Sequence, residues 1–158
     1  FYPERKEVLS EETAYLMTSL MQTVMDRGTG GSARWKYKFN RPAAGKTGTT
    51  QGWSDAWFVG FTPQIAAGCW FGVDDFRVPL GPGQDGSIAA LPAWARFMKG
   101  AHDTLDFPIQ KFEKPSGIHD IEICSVTKKA PVPACPVEKE IFKVGTEPIQ
   151  KCKVHRTQ

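Results

Sequence analysis

The chain lacks several features that would assign it to a common functional class. No apolar run among its 158 residues approaches the length of a membrane-spanning helix, and no signal peptide is visible. There is no internal repeat and no low-complexity tract. A formal net charge of +3 is too small to argue for nucleic-acid binding. The first residue is Phe1 rather than methionine, so we expect the sequence to begin inside a longer product or after processing.

The cysteines and histidines also lack an obvious ligand pattern. The four cysteines form no C-x-x-C pair and the three histidines lie far apart, so the sequence predicts no metal site. Cys124 and Cys135 flank a proline-containing segment that can fold back as a hairpin. We predict a disulfide between them if the compartment is oxidising. The alternative is four reduced, unrelated thiols.

The composition is that of an ordinary globular protein, with 41% hydrophobic and 23% charged residues. Ser10 is a good N-cap, and helical spacing of apolar residues predicts a helix from about Glu11 to Arg27. We expect its apolar stripe to pack in the core. The stripe contains Ala14, Met17, Leu20, Met21, Val24 and Met25.

Two nearly continuous apolar runs, residues 55–62 and 65–73, surround a short turn and predict a β-hairpin. Because neither run alternates apolar with polar residues, we expect both sheet faces to be covered, one of them by polypeptide outside this chain. A second helix is predicted from about Ala90 to Ala101. Its predicted apolar stripe contains Ala90, Ala93, Trp94, Phe97, Met98 and Ala101.

The character of the sequence changes after about residue 105. Prolines recur, and residues 118–123 and 139–144 are candidates for short strands. We therefore predict two domains, residues 1–105 and a small loop-rich β extension at 106–158. Residues 29–42 interleave cations with aromatics, which is sometimes seen on nucleic-acid surfaces, but a solvated loop is the favoured interpretation.

The most informative stretch is residues 43–50, which combine one cation, three hydroxyls and two glycines. Such a strand edge can offer peptide groups to an extended peptide while Lys46 and the hydroxyls gather around a carboxylate. A phosphate-binding P-loop would need a glycine where Asn40 stands and a helix after residue 50, so that interpretation fails. An ordinary exposed strand remains the alternative on these residues alone.

Residues 46–50, Lys-Thr-Gly-Thr-Thr, resemble the third signature motif of the penicillin-recognising serine enzymes. Residues 13–17, 28–30, 53–60 and 92–98 recur in this order in class A penicillin-binding proteins. The resemblance runs from about Ser10 to His102, with a weaker match to the C-terminal extension of that family. It implies an α+β fold of the penicillin-binding and β-lactamase-like type, with antiparallel strands flanked by helices.

The resemblance also implies roles for individual residues. Lys46 would supply positive charge and hold a serine of a second motif, while the hydroxyls of Thr47 and Thr49 would bind a substrate carboxylate. The Thr49 N–H would be an oxyanion-hole donor, and Gly48 would keep the strand open to the acyl group. The catalytic residues are thus Lys46 and Thr49, and no cofactor is expected for the reaction. Further substrate-binding candidates are Thr50, Gln51 and Trp53.

Only half of such an active site is in the sequence. The family carries an S-x-x-K nucleophile motif and an S-x-N motif before its Lys-Thr-Gly strand, and neither precedes Lys46 here. The string Ser125-Val126-Thr127-Lys128 lies downstream in the extension, and we interpret it as a coincidence. We therefore predict the C-terminal part of a serine DD-transpeptidase that is inactive alone and needs an upstream segment carrying the serine.

The implied partners are a peptidoglycan stem peptide ending in D-Ala-D-Ala, β-lactam antibiotics and that upstream segment, with no nucleic acid and no membrane contact by this chain itself. The implied location is the periplasmic face of a bacterial inner membrane, anchored through a segment outside this chain. Two alternatives remain open: a non-catalytic scaffolding fragment of a cell-wall assembly protein, and part of a DD-carboxypeptidase or β-lactamase. The contexts of residues 28–30 and 94–98 argue against the second.

Overall fold

A computed structural model describes residues 6–75 and 77–155. The chain divides into two compact units. The sheet unit is Met17–Phe112, and the C-terminal unit combines Phe1–Leu16 with Glu113–Gln158. The predicted domain boundary at residues 105 and 106 stays a prediction. In the described ranges, no helix has both the length and the apolar character needed to cross a bilayer.

Helix α1, Glu11–Arg27, confirms the first predicted helix. The Ser10 hydroxyl accepts a hydrogen bond from the Thr13 N–H at 3.3 Å, as expected of an N-cap. The prediction that the whole apolar stripe is core is wrong: Met25 is buried, whereas Met17 and Leu20 are 49% and 64% exposed. Only the last turns of α1 reach the core of the sheet unit.

Three antiparallel strands form the sheet in the order β1, β2, β3. They are β1, Ala44–Thr49; β2, Asp55–Phe61; and β3, Ala66–Gly72. The predicted hairpin is confirmed as β2 and β3. Along β2, Phe58 is buried and its neighbours Trp57 and Val59 are 45% and 52% exposed. The described chain therefore covers one face of the sheet, and cover of the other face stays a prediction.

Two further helices belong to the sheet unit. Helix α2 is the single turn Ser32–Trp35, in a segment predicted to be loop, and helix α3 is Leu91–Thr104. A π-helical turn, Gly86–Ala90, leads directly into α3. The second predicted helix is confirmed. Ala90, Trp94 and Met98 of its predicted stripe are buried, whereas Phe97 is 58% exposed. The buried residues of α3 are Leu91, Trp94, Ala95, Met98 and His102.

His102 is a core residue that the predicted stripe omitted. One ring nitrogen, Nε2, lies 3.0 Å from the Thr62 hydroxyl, and Nδ1 lies 2.8 Å from the Met98 carbonyl oxygen. Both polar atoms of the buried ring thus have partners, as a buried imidazole requires. The face of α3 that contacts the sheet can therefore end in a polar residue.

Trp94 lies at the centre of the core. Its indole N–H donates to the Ala67 carbonyl at 3.1 Å, and its ring lies 5.4 Å from Phe39 and 4.8 Å from Phe58, centroid to centroid. A Cβ at Gly60 would stand 2.7 Å from the indole, so only glycine lets β2 approach this closely. The aromatic cluster fixes the distance between α3 and the sheet.

The C-terminal unit contains two antiparallel strands, β4, Ile118–Cys124, and β5, Val137–Lys143. They confirm both predicted strands, with β5 shifted slightly toward the N-terminus. Lys143 forms an ion pair with Glu12 at 3.6 Å within this unit. All four cysteines are free thiols, so the predicted disulfide between Cys124 and Cys135 is not formed in this structure.

Candidate active site at the open edge of the sheet

Strand β1 pairs with β2 on one side only, and in the described part of the chain its other edge is unpaired. The Thr50 N–H donates to the Asp55 carbonyl at 3.1 Å, which makes these two residues a hydrogen-bonded pair. Hydrogen-bonded and non-hydrogen-bonded pairs alternate along an antiparallel ladder. The peptide groups of Thr47 and Thr49 therefore point away from β2, toward the open edge, where an extended peptide can pair with them.

The Lys46 ammonium lies at this same edge. Its side chain is exposed, and Nζ donates to the Thr47 carbonyl oxygen at 2.9 Å and approaches the Thr47 hydroxyl at 3.3 Å. A flexible cation held beside outward-pointing amides creates a local site for an anion. The arrangement can bind a carboxylate.

The hydroxyls of Thr47 and Thr49 lie on one face of β1, because residues two apart share a face about 6.8 Å apart. The Thr47 hydroxyl lies 3.1 Å from the Thr29 hydroxyl. The Thr49 hydroxyl accepts a hydrogen bond from the Gly86 N–H at 3.1 Å. This bond uses a lone pair of Thr49, so its O–H stays free to donate to a ligand.

Gly86 can reach Thr49 only because it has no side chain. A Cβ at this position would lie 2.2 Å from the Trp57 carbonyl oxygen and 2.8 Å from that of Gly48. These are backbone atoms of paired strands, which cannot move aside without breaking the ladder. The start of the π-helical turn is therefore fixed against β1 and β2.

Asp85 holds the same turn from its N-terminal end. Its carboxylate accepts from the Ser87 hydroxyl at 2.6 Å and from the N–H groups of Ser87 and Ile88 at 2.7 and 3.1 Å. The hydrogen bond from the Ser87 hydroxyl is the main cause that lowers the pKa of Asp85, and the two N–H bonds lower it further. The aspartate caps the segment that positions Thr49.

We predict that replacing Asp85 with alanine lowers the free energy of unfolding by about 0.5–2 kcal/mol at neutral pH, because the cap is lost. Since the folded pKa lies below the unfolded value, this contribution is present above about pH 4 and disappears as the pH falls through the folded pKa. Urea unfolding at neutral pH and at about pH 3 measures both effects.

Asp85→Asn tests the charge separately, because an amide oxygen still accepts the N–H bonds but does not titrate. Asp74→Ala, at an exposed aspartate after β3, is the control and should leave the unfolding free energy nearly unchanged. An equal loss at both pH values for Asp85→Ala would contradict the role of the ionised cap.

A pocket of about 350 Å³ lies next to these residues in the sheet unit. Thr29, whose hydroxyl contacts Thr47, is part of its wall, together with Tyr37 and Ser87. The pocket gives space for a ligand side chain beside the exposed strand. Lys46 and Thr49 are themselves exposed, so the key strand is not buried under its own fold.

The other predicted substrate-binding residues lie in the turn between β1 and β2. The Thr50 hydroxyl lies 2.7 Å from that of Ser54 and accepts from the Asp55 N–H at 2.8 Å, so it stabilises the turn. Gln51 is exposed, and Trp53 is 40% exposed with a φ of +54°. Their part in substrate binding stays a prediction.

The residues that contact the β1 threonines from other segments could not be identified from the sequence. Thr29 was visible only as part of the string at residues 28–30, with no role attached. Asp85 and Gly86 lie in a glycine-rich loop, residues 81–86, for which the sequence suggests no role in a site. Nothing local in the sequence indicates that this loop returns to Thr49, 37 positions earlier in the chain.

Comparison with known proteins gives two family matches. A sequence model described as the penicillin binding protein transpeptidase domain matches residues 2–76. A second, described as the C-terminal domain of penicillin-binding protein 1A, matches residues 114–157. The first match contains β1 and its Lys-Thr-Gly motif.

Individual proteins similar to this chain carry the same family name as the two models. Penicillin-binding protein 1A of Clostridium tetani is 36% identical over 155 residues, covering 94% of this chain and 19% of that protein. The Pseudomonas aeruginosa protein of the same name is also 36% identical, covering 87% of this chain and 16% of its own length. A crystal structure of penicillin-binding protein 1A from Haemophilus influenzae superposes with a TM-score of 0.81 at 31% identity, covering 92% of this chain and 22% of that one. The chain spans about a fifth of the length of these relatives.

Proposed function

The chain belongs to the penicillin-binding protein 1A family and carries the C-terminal part of its transpeptidase domain, and from this premise we propose that β1 supplies one wall of a serine DD-transpeptidase active site. One observation carries the proposal: the peptide groups of Thr47 and Thr49 point to an unpaired edge that also holds the Lys46 ammonium. A stem peptide ending in D-Ala-D-Ala would bind along this edge as an added strand.

The terminal carboxylate of the substrate would bind to the hydroxyls of Thr47 and Thr49. Both hydroxyls lie on one face of β1, and the Thr49 O–H remains free to donate. The Lys46 ammonium adds a charge-assisted contact, which is about twice as strong as a neutral hydrogen bond. A β-lactam presents a comparable carboxylate and would use the same donors.

The chemical step would use the Thr49 N–H as an oxyanion donor. A serine outside this chain attacks the penultimate carbonyl, and the oxygen that becomes negative receives hydrogen bonds from two N–H groups. The terminal D-alanine then leaves with a proton on its amine, and an acceptor amine attacks the acyl-serine ester to form the cross-link. Each oxyanion donor is worth about 10²–10³-fold in rate. No cofactor is needed for this acyl transfer.

The nucleophile would come from a segment that packs near the open edge and the exposed sheet face. On that face, Trp57, Val59 and Trp70 leave 45–52% of their surface exposed. Burying a side chain of this size contributes about 1.5–3 kcal/mol. We propose that the part of the transpeptidase domain that carries the S-x-x-K and S-x-N motifs covers this face. The assembled domain would lie on the periplasmic side of a bacterial inner membrane.

Labelling with a fluorescent penicillin tests the proposal. We expect no covalent band on residues 1–158 alone, and a band on a longer protein in which the S-x-x-K and S-x-N segment precedes this sequence. Circular dichroism of the isolated chain serves as the control for folding. A covalent penicillin band on the folded chain alone would overturn the half-site assignment. Failure of the longer folded protein to react with penicillin would overturn it as well.

A further inference from the structure

Three cysteines and one histidine come together in the C-terminal unit. The Sγ atoms of Cys124, Cys135 and Cys152 and the Nδ1 atom of His155 all lie within 4.8 Å of one another. We call this group the Cys₃His cluster. Cys124 and Cys135 lie well before Cys152 and His155 in the sequence, and folding brings the four side chains together. We propose that the cluster binds one structural Zn²⁺ ion.

The distances fit tetrahedral coordination. With Zn–S of about 2.3 Å and Zn–N of about 2.0 Å, a tetrahedral site separates nitrogen from sulfur by about 3.5 Å. His155 Nδ1 lies 3.5 Å from the Cys124 Sγ and 3.3 Å from the Cys152 Sγ. These two distances match tetrahedral zinc, and the remaining donor atoms all lie within 4.8 Å of one another.

The donor set selects the metal and its role. Three thiolates and one imidazole form a soft site, which suits zinc far better than calcium or magnesium. Four protein ligands also leave no open position for water or substrate, which is the pattern of structural zinc sites. The ion is therefore expected to hold the fold rather than to catalyse a reaction.

Backbone amides support two of the sulfurs. The Thr127 N–H lies 3.5 Å from the Cys124 Sγ, and the Val132 N–H lies 3.3 Å from the Cys135 Sγ. Amides that point at the sulfurs stabilise thiolate charge and orient the ligands, as outer-shell partners do in metal sites. The two short turns around the cluster are therefore shaped to present sulfur.

The C-terminal unit has few other features that would stabilise it, so a zinc cross-link would contribute to its stability. A lone two-stranded hairpin such as β4 and β5 is marginally stable in water. Of the described residues in this unit, the buried apolar side chains are Ile118, Ile123, Cys124 and Cys152. The cluster joins the end of β4, the loop before β5 and the segment after the Ala130–Lys151 bridge. One ion would tie three otherwise loosely held segments.

The absence of a C-x-x-C pair predicted no metal site, yet Cys152 and His155 form a C-x-x-H pair. The predicted disulfide between Cys124 and Cys135 would use two of the proposed zinc ligands and leave Cys152 and His155 without a role. Zinc and the disulfide are therefore mutually exclusive, and one experiment distinguishes them.

The test measures zinc by mass spectrometry in residues 1–158 purified with reductant and dialysed against a weak chelator. We expect one zinc per chain in the wild type. Cys124→Ser, Cys152→Ser and His155→Asn should each retain less than about a tenth of it. Cys69→Ser and His119→Asn, which change a cysteine and a histidine outside the cluster, are the matched controls and should keep full occupancy.

A second readout does not depend on any variant folding. In the native wild type, alkylation should modify three thiols only after a strong chelator removes the metal, and cobalt reconstitution should give thiolate-to-cobalt charge-transfer absorption. Wild type that takes up no zinc or cobalt while its thiols are reduced would overturn the proposal. So would two thiols that resist alkylation in denaturant without reductant, which would show the disulfide instead.

Discussion

Replacing Lys46 with alanine in a longer protein that labels with fluorescent penicillin is expected to slow acylation about 10²–10³-fold. The Lys46 ammonium donates to the Thr47 carbonyl and approaches the Thr47 hydroxyl at the open edge of β1. Its loss removes the cation that would contact the substrate carboxylate and the serine of the S-x-N motif. The second-order rate constant of labelling measures the effect.

Two variants make this experiment specific. Lys46→Arg keeps the charge but replaces a compact ammonium with a planar fork, so only partial recovery of the rate is expected. Lys99→Ala removes an exposed lysine of α3 that pairs with Asp103, and labelling should be unaffected. Because Lys46 is exposed, its loss should change the unfolding free energy by no more than about 0.5 kcal/mol. Labelling of Lys46→Ala at the wild-type rate would disprove the assignment.

Replacing Trp94 with alanine is expected to have the largest effect on stability, a loss of about 3–5 kcal/mol in the unfolding free energy. The side chain is 1% exposed and lies between α3 and the sheet, in contact with Phe39 and Phe58. Truncation leaves a large cavity and removes the indole N–H from the carbonyl of Ala67. Urea unfolding followed by far-ultraviolet circular dichroism provides the measurement.

Trp35→Ala is the matched control, because this tryptophan is 69% exposed at the end of α2. Its loss should change the unfolding free energy by no more than about 0.5 kcal/mol. Trp94→Phe separates the two causes, since it keeps much of the ring packing and removes the hydrogen bond. If Trp94→Ala and Trp35→Ala unfolded at the same urea concentration, the assignment of Trp94 as the centre of the core would fail.

The elements that could be predicted from the sequence are those with strong local signals. Helix α1 follows from the Ser10 cap and apolar spacing, and the hairpin of β2 and β3 follows from two apolar runs around a turn. The detailed burial could not be predicted as well. On α3 the true core face ends at His102, because Thr62 and the Met98 carbonyl satisfy its ring, and these partners are invisible to a hydropathy pattern.

The candidate site was predictable where one short motif contains it. Lys46, Thr47 and Thr49 are adjacent, and a strand places the two threonines on one face automatically. The direction of their peptide groups depends instead on register with β2, which is set by pairing across a hairpin. Contacts with Thr29 and Gly86 depend on chain folding over 18 and 37 positions, so local reasoning could not find them.

The Cys₃His cluster is also a feature that local sequence patterns do not predict. Its members span residues 124–155, and spacing rules recognise mainly ligands that lie a few positions apart. The strand β4, the turn at Val132 and the bridge between Ala130 and Lys151 together bring the sulfurs into one place. Tertiary structure, rather than sequence distance, decides which cysteines are neighbours.

The unpaired edge of β1 favours aggregation at high protein concentration, because the exposed strand of one copy can pair with that of another copy. Lysine is among the residues with which natural proteins protect such edges. Two copies that met along β1 would have to bring their Lys46 ammonium groups into the same short ladder and remove water from both. The side chain assigned to substrate would thus also discourage self-association, and a variant that neutralised it would lose solubility together with reactivity.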